Sequence, residues 1–185
     1  MALTESTMMD LGTIAPAFVL PDTKTGNDFD SISLTGGKGF VVLFLCNHCP
    51  YVIHVNNELV KIANEYMEQG IQFVAISAND ADNYPEDRPE LMRLVAKVLQ
   101  YPFPYLYDES QDVARAYDAA CTPDIYVFDG ESKLYYRGRL DRSRPNSGIP
   151  LSGEDLRGAL QSLLKGEPTP EKQYPSAGCN IKWKK

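Results

Sequence analysis

The chain has 185 residues, 43% of them hydrophobic and 23% charged, with a formal net charge of −7. That length fits one domain with a sizeable core, and the acidic balance argues against nucleic acid or an anionic membrane as a main partner. The N-terminal MALTESTMMDLGTIAP has no cationic stretch followed by an apolar one, so a cytoplasmic location is expected, where structural disulfides are rare.

In chain order, the Gly-rich TGGKG precedes the most apolar run, FVVLFL (40–45). Six continuous apolar residues read as a buried central strand and are far too few to span a bilayer. After Pro50, residues Val52, Val55, Leu59, Ile62, Ala63 and Tyr66 recur at helical spacing and Gly70 closes the segment; proline suits the first helical turn, where its missing N–H costs nothing. IQFVAIS (71–77) is the next strand, giving a strand–helix–strand unit and hence a parallel pair. ANDADNYPEDRP (78–89) reads as a polar, mobile loop. Leu91, Leu94, Val95, Val98 and Leu99 mark an amphipathic helix, FPYLYD (103–108) a short strand, and SQDVARAYD (110–118) a short helix capped by Ser110 or its neighbour. IYVFD and KLYYRGR flank the turn GES as a hairpin. SGEDLRGALQSLLKG (152–166) is a helix with Ser152 as N-cap and Gly166 at its end, and EPTPEKQYP is a Pro-rich linker to a tail on the same domain. The expected division is therefore a domain over 1–166 and a linker with tail over 167–185.

The chemistry concentrates in LCNHCPY (45–51), where Cys46 and Cys49 stand two residues apart at a strand-to-helix junction. A helix N-terminus offers unpaired N–H groups and the positive end of the macrodipole, which favour a thiolate, and only the thiolate attacks a disulfide. Cys46, at the outer end, is expected to attack and Cys49 to resolve the mixed disulfide. His48 between them would support the Cys46 thiolate and make the disulfide more oxidising. Zinc usually takes two close-spaced ligand pairs, but Cys121 and Cys179 are singletons and His54 lies within the helix. No metal site is therefore expected. CTPD (121–124) precedes a strand, where a proline in cis is one way to keep its missing N–H off the ladder. No Gly-x-Gly-x-x-Gly or P-loop pattern points to a cofactor.

A strand ending in Cys-X-X-Cys, a helix, and a later Thr-Pro leading into a hairpin and terminal helix resemble the thioredoxin fold. That implies an α/β architecture, a central mixed β-sheet flanked by helices. GTIAPAFVLPD and FPYLYDESQDVARAYDAACTPDIYVFDGESKLYYRGRL resemble the redoxin branch, with its N-terminal extension and mid-chain β–α insertion. CNHCPYV, ACTPD and PSAGCNIKWKK together resemble a peroxiredoxin-like subgroup of the alkyl hydroperoxide reductase and thiol-specific antioxidant proteins. The resemblance implies that Pro123 is a cis-proline facing a Cys46–Cys49 redox pair. It also implies that Thr122 offers its backbone to an extended substrate, with Asn47 and Pro50 beside it in the binding site. Where thioredoxins carry a Trp and a buried Asp, this chain has Leu45 and Phe40, so the usual proton acceptor for the resolving thiol is missing. Where peroxiredoxins carry a Pro, a Thr and an Arg around their cysteine, it has Val42, Cys46 and Pro123.

These readings give a cytosolic thiol-disulfide oxidoreductase acting on protein or small-molecule disulfides and re-reduced by a dithiol protein or glutathione. The alternatives are a thiol peroxidase and a module that uses the dithiol as a redox sensor. Cys121 reads as a small buried hydrophobe or as a redox residue. Cys179 is the more informative leftover. The stretch from Gly166 to Gly178 can reach at most ~43 Å, enough to return across the domain, and Ile181 and Trp183 suggest docking. The tail is expected to be ordered, with Cys179 near the other cysteines.

Overall fold

Residues 3–185 are described in the computed structural model. The first half contains β1 (Leu3–Glu5), β2 (Val19–Pro21), β3 (Asp28–Asp30), β4 (Gly39–Phe44), α1 (Pro50–Met67) and β5 (Ile71–Ser77). The second contains α2 (Pro89–Val98), β6 (Tyr105–Tyr107), α3 (Asp112–Ala116), β7 (Cys121–Thr122), β8 (Asp124–Asp129), β9 (Leu134–Gly138), α4 (Glu154–Leu164) and β10 (Ala177–Asn180). The main sheet is mixed, in the order β6-β5-β4-β8-β9. Its β4–β5 and β5–β6 pairs are parallel and its β4–β8 and β8–β9 pairs antiparallel. β2 and β3 form the N-terminal hairpin, while β6 and α3 are the mid-chain insertion, as the thioredoxin-like reading expected.

Every residue of β4 is buried, because both faces of the central strand are covered. Val41, Leu43 and Leu45 pack with Val52, Leu59 and Ile62 of α1, Met92 of α2 and Leu156 of α4. Phe40, Val42 and Phe44 pack with Phe18 and Leu20 of the N-terminal segment, Tyr117, and Ile181 of the tail. Each such side chain contributes roughly 1.5–3 kcal/mol by leaving water. The register then fixes the site. Phe44 lies opposite Ile76 on one side and Asp124 on the other, so residues 45–49, leaving β4, come alongside residues 121–123, entering β8.

Three local expectations need correction. In α2 the buried residues are Met92 and Ala96, while Leu91 and Leu94 are exposed and Val98 is 78% exposed; the helix meets its neighbours along a face offset from the most apolar stripe. The cap of α4 is Gly153 in place of Ser152, while that of α3 is Gln111, the neighbour of Ser110; both are left-handed. Asp108 accepts from Ala114 N, and Asp141 accepts from Ser152 N and Gly153 N, so buried aspartates secure these starts. The segment 78–89 is a folded connection: Asn79, Asp80 and Asp87 are buried and Pro85–Asp87 forms a 3-10 turn.

The tail is ordered against the body, as expected. Tyr135 Oη donates to the Glu167 and Pro168 carbonyls, Arg139 N donates to Tyr174 O, and the Arg139 guanidinium lies 4.1 Å over the Tyr174 ring. β10 then enters a second sheet in the order β1-β10-β7. Ile181 is buried, Lys182 N donates to Asn79 Oδ1, and the exposed Trp183 ring lies beneath the Arg115 guanidinium. Among the described residues no helix is long and apolar enough to cross a membrane.

Candidate active site

Cys46, Asn47 and His48 form the bend between β4 and α1, and Cys49 is the N-cap of α1 with Pro50 at its first helical position. The Thr122–Pro123 peptide is cis and faces this bend. Cys46 Sγ lies 3.3 Å from Thr122 Oγ1, and Cys49 Sγ lies 3.3 Å from the Thr122 carbonyl. Cys49 Sγ also lies 2.7 Å from Cys179 Sγ, inside van der Waals contact of two sulfurs. All three thiols are buried.

The electrostatics act on the two thiols in opposite directions. The Cys49 thiol is lowered to about 5, chiefly because the Cys46 thiol donates to it, with further help from Cys179 and the Val52 N–H. That N–H faces the sulfur without closing a standard cap hydrogen bond, so the helix end acts on Cys49 through its field and orphan donors. The Cys46 thiol is raised, first by its hydrogen bond to Cys49, then by burial and the Asp87 carboxylate. These surroundings favour ionisation at Cys49 over ionisation at Cys46. The physical reason is position: Cys49, not Cys46, occupies the cap.

Asp87, fully buried, is the residue that sequence reading missed. Its carboxylate accepts from Asn47 N at 2.7 Å and from Asn79 Nδ2 at 2.7 Å. His48 Nδ1 lies 2.8 Å from Asp87 Oδ2 but off the line of a hydrogen bond. The imidazole stacks on Tyr84 at 5.8 Å. Asp87 therefore supplies a carboxylate beside Cys46 from the loop after β5, in place of one from β4, and could accept the proton that Cys46 gives up. Nothing in PEDRP distinguishes this aspartate from its neighbours; the prolines on either side are the only local hint of a fixed turn. The Cys46, His48 and Asp87 ligand atoms all lie within 4.8 Å of one another. Thiolate, imidazole and carboxylate are donors zinc accepts, a grouping that the linear spacing of cysteines and histidines does not reveal. His54 lies elsewhere, 2.9 Å from Ser143 Oγ.

Residues 10–149 match Redoxin. The chain belongs to the Redoxin family. It is 29% identical over 165 residues to the thiol-disulfide oxidoreductase ResA of Geobacillus kaustophilus, covering 86% of this chain and 82% of that one. It is similar, at 57% identity and a TM-score of 0.97, to the crystal structure of an uncharacterized conserved protein from Geobacillus kaustophilus, over 100% of this chain and 97% of that one. A thiol:disulfide interchange protein of the thioredoxin family from Chlorobium tepidum shares the fold at 20% identity, with a TM-score of 0.64 over 83% and 97% of the two chains. The fold is thioredoxin-like, and the redoxin's homologues include thiol-disulfide oxidoreductases.

Within this redoxin, two expected binding roles change. The Thr122 edge, expected to receive an extended substrate, is taken by the chain's own β10, with Cys179 directly opposite Thr122. Asn47 is committed internally: its side chain donates to Glu86 O and accepts from Tyr105 Oη. Pro50 remains exposed at the mouth of the site. Cys121 is buried against Pro123 O, and burial followed by the Asp124 charge raises its thiol. That is the behaviour of a packed hydrophobe.

Proposed function

We propose that this redoxin is a thiol-disulfide oxidoreductase working through the Cys46–Cys49 dithiol. The observation that supports it most directly is the Cys-X-X-Cys pair at the start of α1, with Cys46 Sγ 3.3 Å from Thr122 Oγ1 and Cys49 Sγ 3.3 Å from the Thr122 carbonyl. The Cys49 thiolate attacks a substrate disulfide, forms a mixed disulfide and expels one substrate thiolate. Cys46 then loses its proton toward Asp87 or the leaving group and attacks Cys49 Sγ, closing a Cys46–Cys49 disulfide and releasing the second substrate thiol. Two electrons pass from the dithiol to the substrate disulfide, and an external dithiol protein or glutathione restores them.

A second reading, a peroxiredoxin-like thiol peroxidase, draws support from the same sulfur. A buried Cys49 thiolate with thiols in contact would capture its own sulfenic acid as a disulfide once peroxide had oxidised it. Turnover assays separate the two. The first reading expects reduction of insulin or a small aromatic disulfide with dithiothreitol as donor, lost in Cys49→Ser. Fast peroxide consumption without disulfide reduction would favour the second.

A further inference from the structure

The geometry points to Cys179 as a second resolving thiol, able to take Cys49 into a Cys49–Cys179 disulfide in parallel with Cys46; this rests on the dithiol reading above. The first argument is distance and burial. The two sulfurs are 2.7 Å apart in a buried setting, and a movement of about 0.7 Å would reach a bond of ~2.0 Å.

The second argument is rigidity. Cys179 is central in its sheet, opposite Leu3 on β1 and opposite Thr122 on β7. Ser176 Oγ donates to Pro123 O at 2.6 Å just before the strand, and Ile181 N donates to Ala120 O at 3.1 Å just after it. Gly178 has to be glycine in this register, since a Cβ there would collide with the Thr122 carbonyl. A loose tail would sample this approach only now and then, whereas this strand holds it.

The third argument concerns charge. The Cys179 thiol is pushed up to about 12 by burial, then by its hydrogen bond and charge contact with Cys49. Once Cys49 is consumed in a mixed disulfide, its negative charge is gone and that part of the obstacle disappears.

The step balances as thiol–disulfide exchange. The Cys179 sulfur attacks Cys49 Sγ of a Cys49–substrate disulfide, the Cys49–substrate bond breaks, and the proton of Cys179 leaves on the released substrate thiol. No oxidant beyond the substrate disulfide is needed. Attack by Cys46 on Cys49 Sγ passes the bond to Cys46–Cys49 and frees Cys179, and the external dithiol protein, or two molecules of glutathione, then supplies the two electrons that return the cycle to its start.

The test uses oxidised glutathione on full-length Cys46→Ser and on Cys46→Ser/Cys179→Ser, followed by alkylation at low pH and non-reducing peptide mass spectrometry. Cys46→Ser should convert to a Cys49–Cys179 linked peptide pair. Its glutathione adduct should decay at least about a hundredfold faster than in the double variant, since the competing thiol is intramolecular and oriented. Equal persistence of the adduct in both variants would overturn the role of Cys179. Wild-type protein, mapped under limiting oxidant, provides the check that does not depend on how the variants fold. A Cys49–Cys179 linked fraction beside Cys46–Cys49 supports the step, and Cys46–Cys49 alone counts against it. Failure of wild type to form Cys46–Cys49 or to reduce a disulfide would instead fault the dithiol reading itself.

Discussion

Cys49 and Cys121 sit on adjoining elements, both without exposed surface, yet their thiols are driven in opposite directions. Burial opposes ionisation at both. At Cys49 it is outweighed by donors: the Cys46 thiol, Cys179 and the first turn of α1. At Cys121 burial is reinforced by the Asp124 carboxylate, and the thiol spends its own proton on Pro123 O. Burial alone therefore does not make a cysteine inert. What decides is whether the groups that share the buried space offer protons or negative charge.

The contrast is easiest to break by substitution. Cys49→Ser should reduce disulfide reductase activity to background, whereas Cys121→Ala should keep it and lose about 1–2 kcal/mol of stability in urea unfolding. Loss of activity in folded Cys121→Ala would place that thiol in the cycle after all. The second measurement is direct: thiolate ultraviolet absorbance should show one transition near pH 5, from Cys49. Activity should fall as pH drops through that value, because protonation removes the nucleophile. A transition that survives Cys49→Ser would reassign the thiolate.

The Cys121 side can be probed through Asp124, which burial pushes up to about 6 from an ordinary 3.8 while Ser6 and Tyr126 partly offset the shift. A raised acid favours the folded state when protonated. Its contribution is full below about pH 4 and is lost as pH rises through about 6. Asp124→Asn should remove on the order of 2 kcal/mol from the difference in unfolding free energy between those limits; an unchanged pH slope would contradict it. On the Cys49 side, His48→Pro should lower the midpoint potential by about 30 mV, near 1.4 kcal/mol. It removes the imidazole that faces Asp87 beside the thiols, which disfavours the reduced form. Redox titration against glutathione reads this shift, and an unmoved midpoint would reduce His48 to a stacking partner of Tyr84.

Much of this arrangement is legible in the chain because it is written locally. The run 40–45, the helical spacing from Val52 to Tyr66, and the hairpin around GES each carry their own periodicity or turn chemistry, and the structure has strand, helix and hairpin there. Pro123, read as a possible cis residue, is cis. The parts that misled are those settled by distant partners. Cys-X-X-Cys does not say which sulfur will cap the helix or which will meet a third thiol 130 positions away. Asp87 looks like loop polarity until Asn47 and Asn79 are seen to donate to it. The α2 stripe failed for a related reason: apolar spacing marks a face without saying what covers it.

The three-stranded sheet that joins β1, β10 and β7 also sets an order of assembly. Leu3 and Cys179 are neighbours in it, although nearly the whole chain separates them. During synthesis the dithiol, its helix and the cis-proline strand all emerge well before residues 177–180. Until those residues arrive, the β7 edge is unpaired and open to other strands, and Cys49 lacks one of its donors. A nascent or prematurely terminated chain would thus carry a thiol pair with a different acidity and an adhesive edge. The mature redox centre comes into being only when the last strand has been made.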